Sequence, residues 1–277
     1  MTRFFFVRLA AIASVGVLCG MPMVVNGQGV APESKPTPLA ANGHPDLNGT
    51  WDNGRSEFGF ATPVDPKGSI CVWACGPGWL PPDGGGRDSV AQGADRPTYK
   101  AEFLAKVKDL NDRQVQEDPT LRCMPPGVPR IGPPDKIVQT PSQVVFLYDD
   151  LSGSFFRIIP IDGRPHRTDV DPSYLGDSIG RWDGDTLVVE ANQFNDETWL
   201  VDNGAFHTGK LRVVERLLRV GDVIQYQATA EDTVLATPWV MKPRTLRLTT
   251  EEIFEPSPCV EHSLQHATDL SHHTNGR

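Results

Sequence analysis

Two periods organise the chain. From Thr98 to about Glu117 apolar residues recur at helical spacing, with Phe103, Leu104, Val107 and Leu110 on one stripe. Thr98 can cap that segment, Glu102 sits in its first turns, and Asp118-Pro119 stops it, so a helix is expected over 98–117. After Pro133-Pro134 the period falls to two. Strands are expected at Val144 to Tyr148 and Phe155 to Ile161, around the turn Asp149 to Gly153. The stretch Ser178 to Glu190 reads as a β-hairpin turning on Asp183-Gly184-Asp185, because Gly accepts the positive φ of a tight primed turn and Asp tolerates it. Further strands follow at Gly209 to Val220, Val223 to Ala230, Arg244 to Thr249 and Ile253-Phe254, with a reversal at Gly221-Asp222. Closely spaced strands joined by turns make an antiparallel meander, which must curl or close to hide its apolar face and its edges. The expected fold is mainly β, a curved sheet or barrel with one packed helix.

The remaining stretches lack such periodicity. Arg3 and Arg8, the apolar run Leu9 to Leu18 and the small residues ending at Gly27 read as an export signal over 1–27. Cys19 as a lipid-bearing residue is the rival reading, but Leu18 before it is large for such a site. The run is also short for a membrane span. Residues 28–43 read as a flexible lead-in, 44–261 as a single β-rich domain and 262–277 as a tail. Inside the domain, 60–96 is a Gly/Pro-rich insert centred on Gly84-Gly85-Gly86, where no strand leads in and no Lys-Ser/Thr follows, which argues against a phosphate cradle. Gly49 followed by Trp51 resembles the first strand of lipocalin-type barrels, where the Trp plugs one end. A buried core Trp explains it as well.

Charge narrows the partners. The net charge is −9, and without the first 27 residues 24 basic residues face 35 acidic ones. An acidic chain with no basic cluster points away from nucleic acid and anionic membranes and toward small molecules. Four cysteines follow the export segment, Cys71, Cys75, Cys123 and Cys259. An even number in an oxidising compartment favours two disulfides, preferably Cys71–Cys75 and Cys123–Cys259. The expected location is therefore periplasmic or secreted.

Candidate chemistry lies around the central hairpin. At period two Leu211, Val213, Glu215 and Leu217 share a face, so Glu215 points into an apolar stripe and must find a partner or take a shifted pKa. His166 follows the turn Asp162-Gly163-Arg164-Pro165 and precedes Asp169 and Asp171; His207 follows Asp202-Asn203-Gly204. Histidine is the side chain best suited to proton transfer near neutral pH, and a carboxylate can orient it. His262 and His266 could share a helical face, but a solvated tail explains them more simply. No Gly-x-Ser-x-Gly elbow, nucleotide cradle or recognised metal triad occurs, and no organic cofactor or metal is expected.

The chain also resembles a family of secreted bacterial proteins common in environmental genomes. The resemblance spans Asp46 to Glu261 and rests on Cys123 to Arg130, Asp162 to His166, Gly180 to Val189, Phe194-Asn195, Thr198 to Leu200, His207-Thr208, Glu215-Arg216 and Cys259. It implies that the polar loop residues and the Glu215-Arg216 pair belong to a shared site; the insert around Cys71 and Cys75 departs from the pattern. The resulting expectation is a small-molecule enzyme working by acid–base chemistry, as a lyase, isomerase or hydrolase, on a mainly apolar or cyclic substrate in a barrel cavity. His166 or His207 would be the base, Asp169 or Asp196 its orienter, and Glu215 with Arg216 the charge stabiliser. Trp182, Asn195, Trp199 and Trp239 would line the substrate. A non-catalytic binding or carrier protein and a metal-dependent hydrolase built on His166 and His207 are the alternatives.

Overall fold

The computed structural model describes residues 35–53, 96–150, 152–202 and 204–254, all within the compact unit Ser34–Arg277. The expected export segment, most of the insert with Cys71 and Cys75, and the tail with Cys259 lie outside the described residues. Among the described residues ten strands form one antiparallel sheet. They are β1 Gly49–Asp52, β2 Lys136–Gln139, β3 Gln143–Asp150, β4 Gly153–Pro160 and β5 Asp177–Asp183, then β6 Thr186–Asn192, β7 Arg212–Val220, β8 Val223–Glu231, β9 Trp239–Val240 and β10 Arg244–Thr249. Their order is β4-β3-β2-β1-β10-β8-β7-β6-β5, with β9 on β8. The two end strands, β4 and β5, come within 8 Å of each other without a backbone ladder, so the sheet nearly closes into a barrel.

Alternation fills the inside. Val144, Phe146 and Tyr148 of β3, Leu187, Val189 and Ala191 of β6, and Ile224, Tyr226, Ala228 and Ala230 of β8 are all buried on one parity. Each large apolar side chain removed from water there contributes roughly 1.5–3 kcal/mol. The central hairpin turns as its sequence requires: Asp183 pairs with Thr186, and Gly184 between them holds φ 58°. Val220 and Val223 close the next hairpin around Gly221, also at φ 58°.

Trp51 of β1 belongs to the core. It is buried, its Nε1–H donates to Leu47 O at 3.0 Å, and the Arg219 guanidinium lies 5.1 Å from its ring centroid. Arg219 in turn donates to Gly221 O at 2.7 Å and to Asp46 O. Beside it, Gly221 N donates to Thr37 Oγ1 at 2.9 Å and Lys35 pairs with Asp222.

The expected single helix is broken. A 3-10 turn at Ala101–Phe103 runs into α1, Leu104–Asp112, and a short α2, Gln114–Glu117, follows Arg113 at φ −107° and ψ 23°. Thr98 does not cap it; its carbonyl accepts from Ala236 N instead. Phe103, Val107 and Leu110 pack on the core as the stripe requires, while Leu104 faces solvent. Ile253-Phe254 forms no strand, and β2 and β9 are strands that the alternation did not reveal.

Candidate functional site

The site lies where the barrel fails to close. Along the β4–β5 seam no backbone hydrogen bonds join the strands, and side chains bridge them instead. Arg157 of β4 donates to Ser178 Oγ of β5 through Nη2 at 2.9 Å and through Nε at 3.3 Å. One turn of pleat further on, Gly180 faces Ile159 and Ile161 so closely that a Cβ on it would stand 3.0 and 2.8 Å from their methyl groups. Pro160, Pro165 and Pro172 in and beside the connection 161–176 have no N–H with which to extend a ladder. A cleft of about 540 Å³ opens on this seam. Its walls are largely apolar, with Phe156, Ile158, Tyr174, Leu175 and Ile179 prominent, and Arg157, Asp177 and Ser178 supply polar groups.

Asp177 and Ser178 are adjacent and therefore face opposite sides of the sheet. Through Ser178 the cleft meets a charged cluster inside the barrel. Arg157 Nη2 lies 2.7 Å from Glu215 Oε2, and both side chains are almost fully buried. That contact is ionic, without a well-directed N–H, whereas Arg157 Nη1 donates to Tyr148 OH at 3.1 Å and Tyr226 OH donates to Glu215 Oε1 at 3.0 Å. Burial alone would lower the Arg157 pKa, but the Glu215 carboxylate outweighs it and the guanidinium stays charged. Burial, reinforced by Glu215, pushes the Tyr226 phenol well above its ordinary value, so it remains a donor.

Through Asp177 the cleft meets a second network on the outer face. His166 Nδ1 lies 2.9 Å from Asp177 Oδ2, and Arg167 donates to Asp177 from Nε at 2.6 Å and from its backbone N at 3.1 Å. Burial would raise the Asp177 pKa; the bonds from Arg167 and His166 outweigh it and hold the carboxyl below its ordinary range. On its other side, His166 Nε2 has no hydrogen-bond partner among the described residues and sits 3.8 Å from Glu190 Oε1. Glu190 is gripped by Arg212 at 3.0 and 2.6 Å. The imidazole is thus flanked by two carboxylates, each held by an arginine. An ionised Asp177 accepts from Nδ1–H, which leaves the Nε2 lone pair as the basic atom.

The expected residues divide. Glu215 points inward, as its parity required, but its cationic partner is Arg157. Arg216 lies on the opposite face and donates to Asp183 at 2.9 Å, because alternation turns neighbouring residues apart. His207 does not join His166. It is buried, its Nδ1 meets Thr208 O at 3.0 Å, its Nε2 meets Thr198 Oγ1 at 2.6 Å, and the Phe194 ring stands edge-on to it. Burial lowers its pKa, so both nitrogens are satisfied by a neutral ring. Asp169 and Asp196 are exposed; Asp177 rather than Asp169 holds His166, and Asp196 acts on His207 only through space.

The three tryptophans do not line the cleft. Trp182 stacks on His44 at 4.5 Å and 4°, Trp199 is buried beside Arg130, and Trp239 is buried on β9. Asn195 shapes a turn: its N donates to Ser173 O at 2.9 Å and its Oδ1 accepts from Glu197 N. His166 and His207 have separate partners. Among the described residues no three His, Cys, Asp or Glu side chains gather as a ligand set. Of the four cysteines only Cys123 is described, at φ 60°.

Arg157, Ser178, Asp177 and Glu190 are the site residues that sequence reasoning missed. Arg157 was within reach, since Ser154 to Pro160 alternates and places it inward with Ile159. Asp177 and Glu190 carry no such signal, because only the path of the 161–176 connection brings His166 to them. Among the described residues no helix is long and apolar enough to cross a membrane. No family model, curated protein or solved structure matches the chain.

Proposed function

We propose that the protein is an exported enzyme that moves protons on a small, mainly apolar molecule held in the β4–β5 cleft. The observation that carries this reading is the His166–Asp177 pair beside the cleft: Asp177 lines it and fixes His166 in the tautomer whose Nε2 can accept a proton. The imidazolium formed by that transfer would lie between the Asp177 and Glu190 carboxylates. Seam width supports a small molecule rather than a peptide strand. An inserted strand needs a neighbour about 4.8 Å away on each side, roughly 9.6 Å in all; the edges approach within 8 Å.

The test is turnover over a panel of aryl and alicyclic esters, lactones and hydroxy acids in wild type, His166→Ala and His207→Gln. Loss of about 100-fold or more in His166→Ala, with His207→Gln largely active, supports the assignment. Equal turnover in His166→Ala would remove His166 as the base. A second reading, a binding or carrier protein on the same cleft, is favoured by the burial of Nε2 itself. It predicts a ligand recovered unchanged, with affinity lost in Phe156→Ala or Tyr174→Ala and kept in His166→Ala.

A further inference from the structure

Resting on the cleft reading above, we infer that the molecule taken at the β4–β5 seam is an anion, a flat apolar body carrying a carboxylate, and that the carboxylate sits on the Arg157–Ser178 floor. The floor has a specific polarity. Ser178 Oγ accepts from two nitrogens of Arg157, so its own proton must point elsewhere. No acceptor for that proton occurs among the described residues. Arg157 is engaged by Ser178, Tyr148 and Glu215, yet a guanidinium has five N–H groups and Nη1 has one to spare. The hydroxyl proton and the guanidinium face together offer donors, and a carboxylate is the acceptor that takes two at once.

The rim agrees with the floor. Arg164 and Arg167 line the cleft with Arg157, against Asp177 alone among acids, although the chain as a whole carries −9. Asp177 is already saturated by His166 and Arg167, and Arg164 is engaged only by Asp162 in an exposed pair, which is weak and can rearrange. A cationic ligand would meet the arginines of the rim, Arg164 and Arg167, and no open carboxylate. Around this anchor Phe156, Ile158, Leu175 and Ile179 provide apolar walls, and Tyr174, whose OH is tied to Glu197 at 2.8 Å, presents its ring. Such walls suit an aromatic or alicyclic body.

The experiment is calorimetric titration of the purified protein with 2-naphthoate, 2-naphthamide and 2-naphthylammonium, three probes of nearly one shape. The carboxylate is expected to bind about tenfold or more tightly than the amide, the cation weakest, because a charge-assisted bond replaces a neutral one. Raising the salt should weaken the carboxylate alone. Ser178→Ala should abolish the preference for the carboxylate, and Arg164→Gln, whose exposed side chain the fold does not need, should reduce it. If Ser178→Ala fails to fold, the Arg164→Gln and salt results carry the test. Equal binding of carboxylate and amide, tighter binding of the cation, or no saturable binding at millimolar concentration would overturn the inference. Binding is read without turnover, so its failure is separate from failure of the base assignment.

Discussion

A charge inside a barrel is tolerable only in company, and Glu215 shows what that company must be. Its carboxylate takes a hydrogen bond from Tyr226 and an ion contact from Arg157, which Tyr148 and Ser178 help to hold. Removing one ion from such a pair strands the other, at a cost of about 3–5 kcal/mol. Glu215→Ala should therefore lower unfolding free energy in urea by about that much, and Arg157→Met combined with Glu215→Leu should lose less than Glu215→Ala alone. His207 makes a pH-dependent contribution of opposite origin. Its folded pKa lies below the usual 6.5, so the unfolded chain binds more protons there. The stability tied to the neutral ring is full above pH 6.5 and is lost as pH falls through the lowered folded value. Thermal melts from pH 7 to 4 should show that decline, and His207→Gln should flatten its upper part while lowering stability at pH 7. Residue identity made part of this legible. Parity alone turned Glu215 inward, and the same parity applied to Arg157 would have supplied its partner. It also separates Arg216 from Glu215, which adjacency in sequence had joined.

Among elements, the seam between β4 and β5 organises everything functional. Alternation made β3, β4, β7 and β8 readable, since one face of each is more buried than the other, and turn residues marked the β5–β6 hairpin. The shorter β2 and β9 hold four and two residues, too few for a period to declare itself. The helical stripe was readable too, but its break at Arg113 was not. The seam escaped sequence reading because it is an absence of pairing between strands separated by the loop 161–176. Gly180 sets how near the two edges lie. A β-branched side chain there would collide with Ile159, which is fully buried in the core, and with Ile161, which is partly buried against it. Gly180→Val should cost roughly 1–3 kcal/mol by overpacking. It should also raise amide exchange along β4 and β5 more than along β7 and β8, measured by hydrogen exchange mass spectrometry.

At the scale of the whole molecule, buried side chains gather inside the nearly closed sheet of the described residues. Trp51 is buried with Arg219 over its ring, aromatic and aliphatic side chains are buried with it, and the charged cluster of Arg157 and Glu215 sits among them. A groove opens on the wall, lined from the 161–176 connection and by Arg157 and Ser178. Two networks that never touch in sequence, one outside on His166 and one inside on Glu215, meet there through the neighbours Asp177 and Ser178. The account therefore predicts where a ligand lands. Isoleucine methyls report this directly: Ile158 and Ile179 line the cleft, whereas Ile137 and Ile224 are buried in the core. Titrating δ1-methyl-labelled protein with 2-naphthoate should move the Ile158 and Ile179 resonances saturably and leave Ile137 and Ile224 in place. Shifts confined to Ile137 and Ile224, or no saturable shift at Ile158 and Ile179, would contradict the seam as the binding site.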